Sequence, residues 1–231
     1  MIHWLLQSAP ITDPVEHFLS AAEKVTYAGF VNTKRQRDWL LGRWTAKHLL
    51  QRVIVRSGGA QLSLTALEIH SDSAGAPLVQ IPGHSDLSLS ISHSHDHALC
   101  AVIEAEAWPL GADLEFIEPR TPRFFWDYFS PEERRLVEMA APDQRDMLVT
   151  AIWSAKEAAL KALHIGLSVD TRAVTCLIQP PQHERANWSP FEVFTDNRQL
   201  KREAPPLTGW WRIEDDFVLT LVCRPNDAHR S

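Results

Sequence analysis

The chain of 231 residues is 45% hydrophobic and 23% charged, close to the soluble globular average, so neither a membrane class nor a low-complexity class is favoured. That length supports one substantial core or two smaller halves. A formal charge of -6 argues against general nucleic-acid binding, and the three scattered cysteines form no C-x-x-C pair for a structural zinc.

The first stretch, "MIHWLLQSAPITDPVEHF", lacks a basic start, and its apolar run is too short for a signal segment or a membrane span. No membrane contact and a reducing, cytoplasmic location are therefore expected, with Cys100, Cys176 and Cys223 as buried thiols. The first clear helix starts at Asn32 or Thr33, either of which can cap it, and stops at "SGG", residues 57–59. Trp39, Gly42, Ala46, Leu49 and Val53 recur along it at three- and four-residue steps. The same window gathers seven basic residues, Lys34, Arg35, Arg37, Arg43, Lys47, Arg52 and Arg56, against one acid, Asp38. Such crowding suits a small polyanion better than a duplex, and Lys34 sits near the helix N-terminus, where the dipole also favours anions.

Strand-like stretches follow: "LTALEIH", then "SAGAPLV" with turn residues Gly75 and Pro77, then "LSLSISHSHDHALCAVIEA", which alternates and folds back on itself as two strands. A polar turn there can present Ser92 and His93 to a phosphate. His93, His95 and His97 make a weaker zinc candidate, because alternate strand positions seldom converge on one ion; His95 and His97 are read as surface turn residues. The connection "AEAWPLG" marks the expected boundary between an N-terminal half, 1–107, and a C-terminal half, 108–231.

The second half opens with the strand "LGADLEF", whose period of two turns Asp113 and Glu115 to one face. Two carboxylates so placed need a cation. A loop containing Pro and Arg leads to "SPEERRLVEMA", a helix with Ser130 as cap, Pro131 at its first position and Glu133 closing a capping box. A longer helix runs from about Asp143 to Leu163, with Gly166 as its stop. Within it "WSAKEAALKAL" stacks Glu157 and Lys161 on one face with Lys156 beside them, which taken singly is an ordinary ion pair. Beside two strand carboxylates, Glu157 becomes a third oxygen ligand for magnesium or manganese. Strands at "AVTCLI", "FEVFT", "GWWRIE" and "FVLTLVCR" complete the half, and Trp39, Trp44, Trp153, Trp210 and Trp211 fall in core elements. The expected fold is α+β and two-lobed, with a ligand between the lobes.

In order, "KRQRDWLLGRWTAK", "GAP", "SISHS", "GADLE", "FSPEE" and "WSAKEAALKA" resemble the 4′-phosphopantetheinyl transferases of the larger, surfactin-type class, over residues 28 to 165. The resemblance implies a pseudo-dimeric fold of two similar α/β lobes with coenzyme A, as substrate, and a divalent ion held in the cleft between them. It assigns Asp113, Glu115 and Glu157 to the metal, and Lys34, Arg37, Arg43, Ser92 and His93 to the coenzyme's phosphates. One departure is Ala76, which stands in the "GAP" turn where many relatives carry a lysine.

The reaction implied is transfer of 4′-phosphopantetheine from coenzyme A to a serine of an apo acyl or peptidyl carrier protein, releasing 3′,5′-ADP. Glu157 or a metal-bound water takes the serine proton, and Lys156 or Lys161 offsets charge on the leaving oxygen. An acidic carrier is expected to dock on the loop from Arg120 to Tyr128, through Phe124, Phe125 and Trp126, or on the helix after Ser130. A monomer suffices, since two halves are already fused. Competing readings are a metal-dependent nucleotide phosphodiesterase and a non-catalytic coenzyme A-binding module.

Overall fold

The computed structural model describes residues 1–73, 75–81, 83, 87–105, 107–179 and 187–225. Ala74 of the "SAGAPLV" stretch, Glu106 of the connection and the last six residues of the C-terminal half lie outside them. The chain divides into two compact units, Met1–Trp108 and Pro109–Ser231. Each joins one long helix to antiparallel strands, which makes the architecture mixed α and β. No helix among the described residues is long and apolar enough to cross a membrane.

The first unit runs β1 (His3–Ser8), α1 (Val15–Phe18), α2 (Ala21–Ala28), α3 (Thr33–Arg56), β2 (Glu68–Ser71), β3 (Pro77–Gln80), β4 (Ser88–Ser94) and β5 (His97–Ile103). Asn32 caps α3 by accepting from the Arg35 amide at 2.9 Å, and beyond Ser57 the chain turns at Gly58, φ 86°. Strands β1, β5 and β4 form one antiparallel sheet in that order, and β2 pairs with β3. The tight β4–β5 turn puts His95 and Asp96 at φ 47° and 58°, a left-handed pair that lets the strands return in register. Helix α3 lays Ala46, Leu49, Leu50 and Val53 over Leu89, Cys100 and Val102 of this sheet. Phe18, Leu41, Trp44 and Ala98 close its other end. Two elements at the start, β1 and α2, carry no strong periodicity; α2 is set by a capping box between Ser20 and Glu23.

The second unit runs β6 (Leu110–Phe116), α4 (Pro122–Tyr128), α5 (Pro131–Met139), α6 (Arg145–Ala162), β7 (Val174–Leu177), β8 (Ser189–Thr195), α7 (Asn197–Leu200), β9 (Thr208–Glu214) and β10 (Phe217–Cys223). Its five strands form one antiparallel sheet in the order β6-β10-β9-β8-β7. The expected loop before Ser130 holds a short helix, α4, started by Thr121, whose hydroxyl accepts from the Phe124 amide, and by Pro122. Helix α6 ends at Ala162, and two left-handed residues follow, His164 at φ 52° and the expected stop Gly166 at φ 50°. Gly111 on β6 has a physical requirement: a Cβ there would sit 1.8 Å from the Ala158 carbonyl oxygen, so its absence lets α6 press on the strand.

The two units repeat one succession: a strand, two short helices, a long helix, then four strands, with α7 inserted after β8. In both, the first strand pairs antiparallel with the last, and the last with the one before it. The three cysteines are buried free thiols, and Trp44, Trp153 and Trp211 are core, whereas Trp39 and Trp210 are only partly buried.

Candidate active site

On β6, Gly111, Asp113 and Glu115 share a face by the two-residue period of a strand, and Gly111 shows which face: the one under α6. Along α6 the matching residues step by four: Trp153, Glu157 and Lys161. Lys161 Nζ donates to Asp113 Oδ1 at 2.7 Å and to the Ala112 carbonyl at 3.1 Å. Arg120 donates to Glu115 Oε2 at 3.0 Å and reaches Glu118 at 3.0 Å with its other terminal nitrogen. The helix is pinned over the strand pair by Ser154, 2.8 Å from Thr220, which is the register partner of Asp113 on β10.

The electrostatics follow from this crowding. Burial, then the Asp113 charge, push Glu115 up to about 7; Arg120 and a hydrogen bond from Trp153 pull the other way, and Glu157 adds to the rise. Burial and then Asp113 also hold Glu157 above its ordinary range, against Lys161. Asp113, only 3% exposed, is thus the charge felt by both neighbours. Among the described residues no three His, Cys, Asp or Glu side chains are already closed into a metal-holding group. As donors the three carboxylates nevertheless fit a hard dication: all-oxygen, partly buried, mutually repelling, and held by an ammonium and a guanidinium where a metal would otherwise balance them.

Lys156 is not with them. It is fully buried, donates to both Glu133 oxygens at 2.9 and 2.8 Å and to the Val174 carbonyl, and so points into the core of the second unit. Adjacent helix residues differ by about 100° in direction, so Lys156 and Glu157 do not share a face. The catalytic role expected for Lys156 on its proximity in sequence is corrected accordingly.

Of the phosphate set in the first unit, Lys34 and Arg37 are exposed at the start of α3, and His93 Nδ1 on β4 lies 3.9 Å from Asp38, one turn along α3 from Lys34. Ser92 is buried on the opposite face of β4 from His93, as alternation requires. Arg43 departs from the set: it is 7% exposed, lies 3.9 Å from Glu23 and stacks its guanidinium 5.0 Å from the Trp39 ring centre. His95 is an exposed turn residue and His97 is half-buried. Ala76 closes its turn on Asp72, its amide donating to Asp72 Oδ1 at 2.8 Å.

In α4, Phe124 and Phe125 pack on the core of the second unit, and Phe124 meets Trp153 edge-on with centres 4.9 Å apart. Trp126 stays 54% exposed, with the Arg134 guanidinium 4.6 Å from its ring centre. A cleft of about 540 Å³ in the same unit is lined by Ser130, Glu132, Arg172, Phe194 and Asp196 and includes none of the three acids.

The family model described as the 4′-phosphopantetheinyl transferase superfamily matches residues 109–222. A holo-[acyl-carrier-protein] synthase of Lactococcus lactis subsp. lactis is 36% identical over 90 residues, covering 38% of this chain and 76% of that protein. A 4′-phosphopantetheinyl transferase of Bacillus subtilis is 31% identical over 103 residues, covering 45% of each. The 4′-phosphopantetheinyl transferase HetI of a Nostoc species is 27% identical over 201 residues, covering 83% of this chain and 80% of that one.

Proposed function

We propose, from the premise that this chain belongs to the 4′-phosphopantetheinyl transferase superfamily, that it moves 4′-phosphopantetheine from coenzyme A to a serine of an apo acyl or peptidyl carrier protein. The serine oxygen bonds to the phosphorus that bears pantetheine, the bond from that phosphorus to the bridging oxygen breaks, and 3′,5′-ADP leaves with it. The observation that carries this reading is the facing of Asp113 and Glu115 on β6 by Glu157 and Lys161 on α6. The two units are proposed to be fused copies of one ancestral module, a pseudo-dimer within one chain.

Asp113, Glu115 and Glu157 would hold magnesium or manganese, which when bound supplies positive charge to the coenzyme's diphosphate. Glu157, whose carboxyl burial and then Asp113 hold above the ordinary range when no ion is bound, would take the serine proton. Lys161, which donates to Asp113 and the Ala112 carbonyl, would turn its ammonium to the oxygen that leaves once an ion takes its place on Asp113. Lys34, Arg37 and His93 are assigned to the coenzyme's phosphates; Ser92, buried on the face of β4 opposite His93, and Arg43, whose charge faces Glu23, are left out.

Carrier proteins are acidic, and Trp126 offers an exposed aromatic with the Arg134 guanidinium over its ring. Replacing Trp126 and Arg134 together by Ala is expected to raise KM for the carrier about tenfold with kcat little changed, in steady-state assays. The assay for the function is incubation with coenzyme A, magnesium and a panel of apo carriers, read by mass. Gain of one phosphopantetheine supports it; an unmodified panel sinks it.

A pH effect follows from Glu115. Its carboxyl holds a proton more tightly folded, about 7, than at its ordinary 4.5, so the stability it contributes is complete below 4.5 and lost as pH rises through about 7. Glu157 shifts in the same direction. Metal-free protein in chelator is expected to melt at a lower temperature at pH 7.5 than at pH 5, with a slope of up to about 1.4 kcal/mol per pH unit per group. Glu115→Gln should flatten that slope; an unchanged slope contradicts the assignment.

A further inference from the structure

Both units contain the same buried ionic device. In the second, Ser130 N donates to Glu133 Oε2 at 2.7 Å while the Glu133 amide donates back to Ser130 Oγ at 3.3 Å, closing a capping box at the start of α5. The same carboxylate, with no solvent exposure, accepts from Lys156 of α6 and from the Cys176 amide of β7 at 2.7 Å. In the first unit Ser20 and Glu23 form the capping box of α2, and Glu23 accepts from Lys47 of α3 and from the Ile69 amide of β2 at 3.3 Å. Lys47 also donates to the carbonyls of Phe18 at 2.7 Å and Leu64 at 3.0 Å, much as Lys156 donates to Val174. The local sequences agree, "FLSAAE" with "YFSPEE" and "WTAK" with "WSAK".

Such a pair is a poor way to add stability, since apolar side chains of equal volume usually do as well once desolvation is counted. What an ionic pair with every hydrogen bond made does supply is one setting: it fixes rotation and slide of the long helix against its neighbours. The residue after the lysine is where the units part. In the first unit it is His48, engaged by Asp13 at 3.0 Å; in the second it is Glu157. We propose that Glu133, acting through Lys156, is a positioning residue that sets α6 so that Glu157 and Lys161 are presented to Asp113, and that Glu23 with Lys47 is the same frame carrying no acid. This rests on the transferase reading only for what Glu157 and its neighbours hold.

The first unit therefore supplies an internal control. The paired variants E133Q/K156M and E23Q/K47M each remove one buried charge pair at similar volume, and the second also takes from Arg43 the carboxylate 3.9 Å from it. Magnesium chloride is titrated by calorimetry into each protein saturated with coenzyme A, and amide exchange is followed along Arg145–Ala162. Loss of an outer support of a metal ligand typically weakens the ion by 10- to 100-fold. A rise of at least tenfold in magnesium Kd for E133Q/K156M, with E23Q/K47M within twofold of the parent, is the expected result. An unchanged Kd in E133Q/K156M, or an equal rise in both variants, overturns the proposal and leaves the device merely structural. If E133Q/K156M does not fold, the single variant Glu133→Asp, which keeps the charge beside Lys156 and shortens its reach, is read in the same way. The parent tests the underlying reading separately: no magnesium heat in the parent counts against the acids as ligands, not against the clamp.

Discussion

Asp113→Asn is expected to lower kcat/KM for carrier modification by about 10²–10³-fold while the protein still folds, because one charge is being asked to do three things. After burial, it is the charge that does most to raise both Glu115 and Glu157, and it holds Lys161 at 2.7 Å. Asn keeps an oxygen to accept from Lys161, so the hydrogen bond survives and the charge does not. Both neighbours of the metal-free protein then move down toward the ordinary carboxylate range, and a bound dication would lose a ligand. Relief of like-charge repulsion should leave the magnesium-free melting temperature unchanged or slightly raised. Steady-state kinetics with coenzyme A and an apo carrier, beside a melting curve, read both effects. Activity within threefold of the parent would remove Asp113 from the site.

Lys156→Met is expected to have the largest effect on stability. It leaves Glu133 with no solvent exposure and no cation, and breaking a buried pair from one side costs about 3–5 kcal/mol. Burial already holds the Glu133 carboxyl above its usual range, with Lys156 opposing, so in the single variant it protonates at higher pH still. Adding Glu133→Gln should recover most of the loss, because no uncompensated charge remains. Denaturant unfolding of parent, single and double variants measures this, and a single variant as stable as the parent would contradict the geometry. Lys47→Met is the matching experiment on Glu23.

Several of these features are legible in the residues. Helices α3 and α6 announce themselves by apolar spacing and caps, and the β4–β5 hairpin by alternation around a polar turn. Asp113 and Glu115 fall under α6 because two-residue spacing and the absent side chain of Gly111 leave no other face for it. Other features are hidden for physical reasons. Helix α4 is too short for a periodic signal, although Thr121 and Pro122 mark its start. The direction of Lys156 is readable only through rotation about α6: Trp153, Glu157 and Lys161 lie at four-residue steps, and Lys156 is off that line. Arg43 is the same case on α3, one charge in a basic run turned inward to Glu23. The duplication of Ser20, Glu23 and Lys47 by Ser130, Glu133 and Lys156 escapes a search for short periods, because its period is about 110 residues and only the buried lock is spelled alike.

The most direct measurement is the location of the ion itself, in crystals of the protein with manganese and coenzyme A examined by anomalous diffraction. The expected result is one manganese peak within coordination distance, about 2.0–2.3 Å, of carboxylate oxygens from Asp113, Glu115 and Glu157, with Lys161 turned from Asp113 toward the coenzyme. A peak bound elsewhere, or no peak while Lys161 and Arg120 stay on Asp113 and Glu115, would contradict the account.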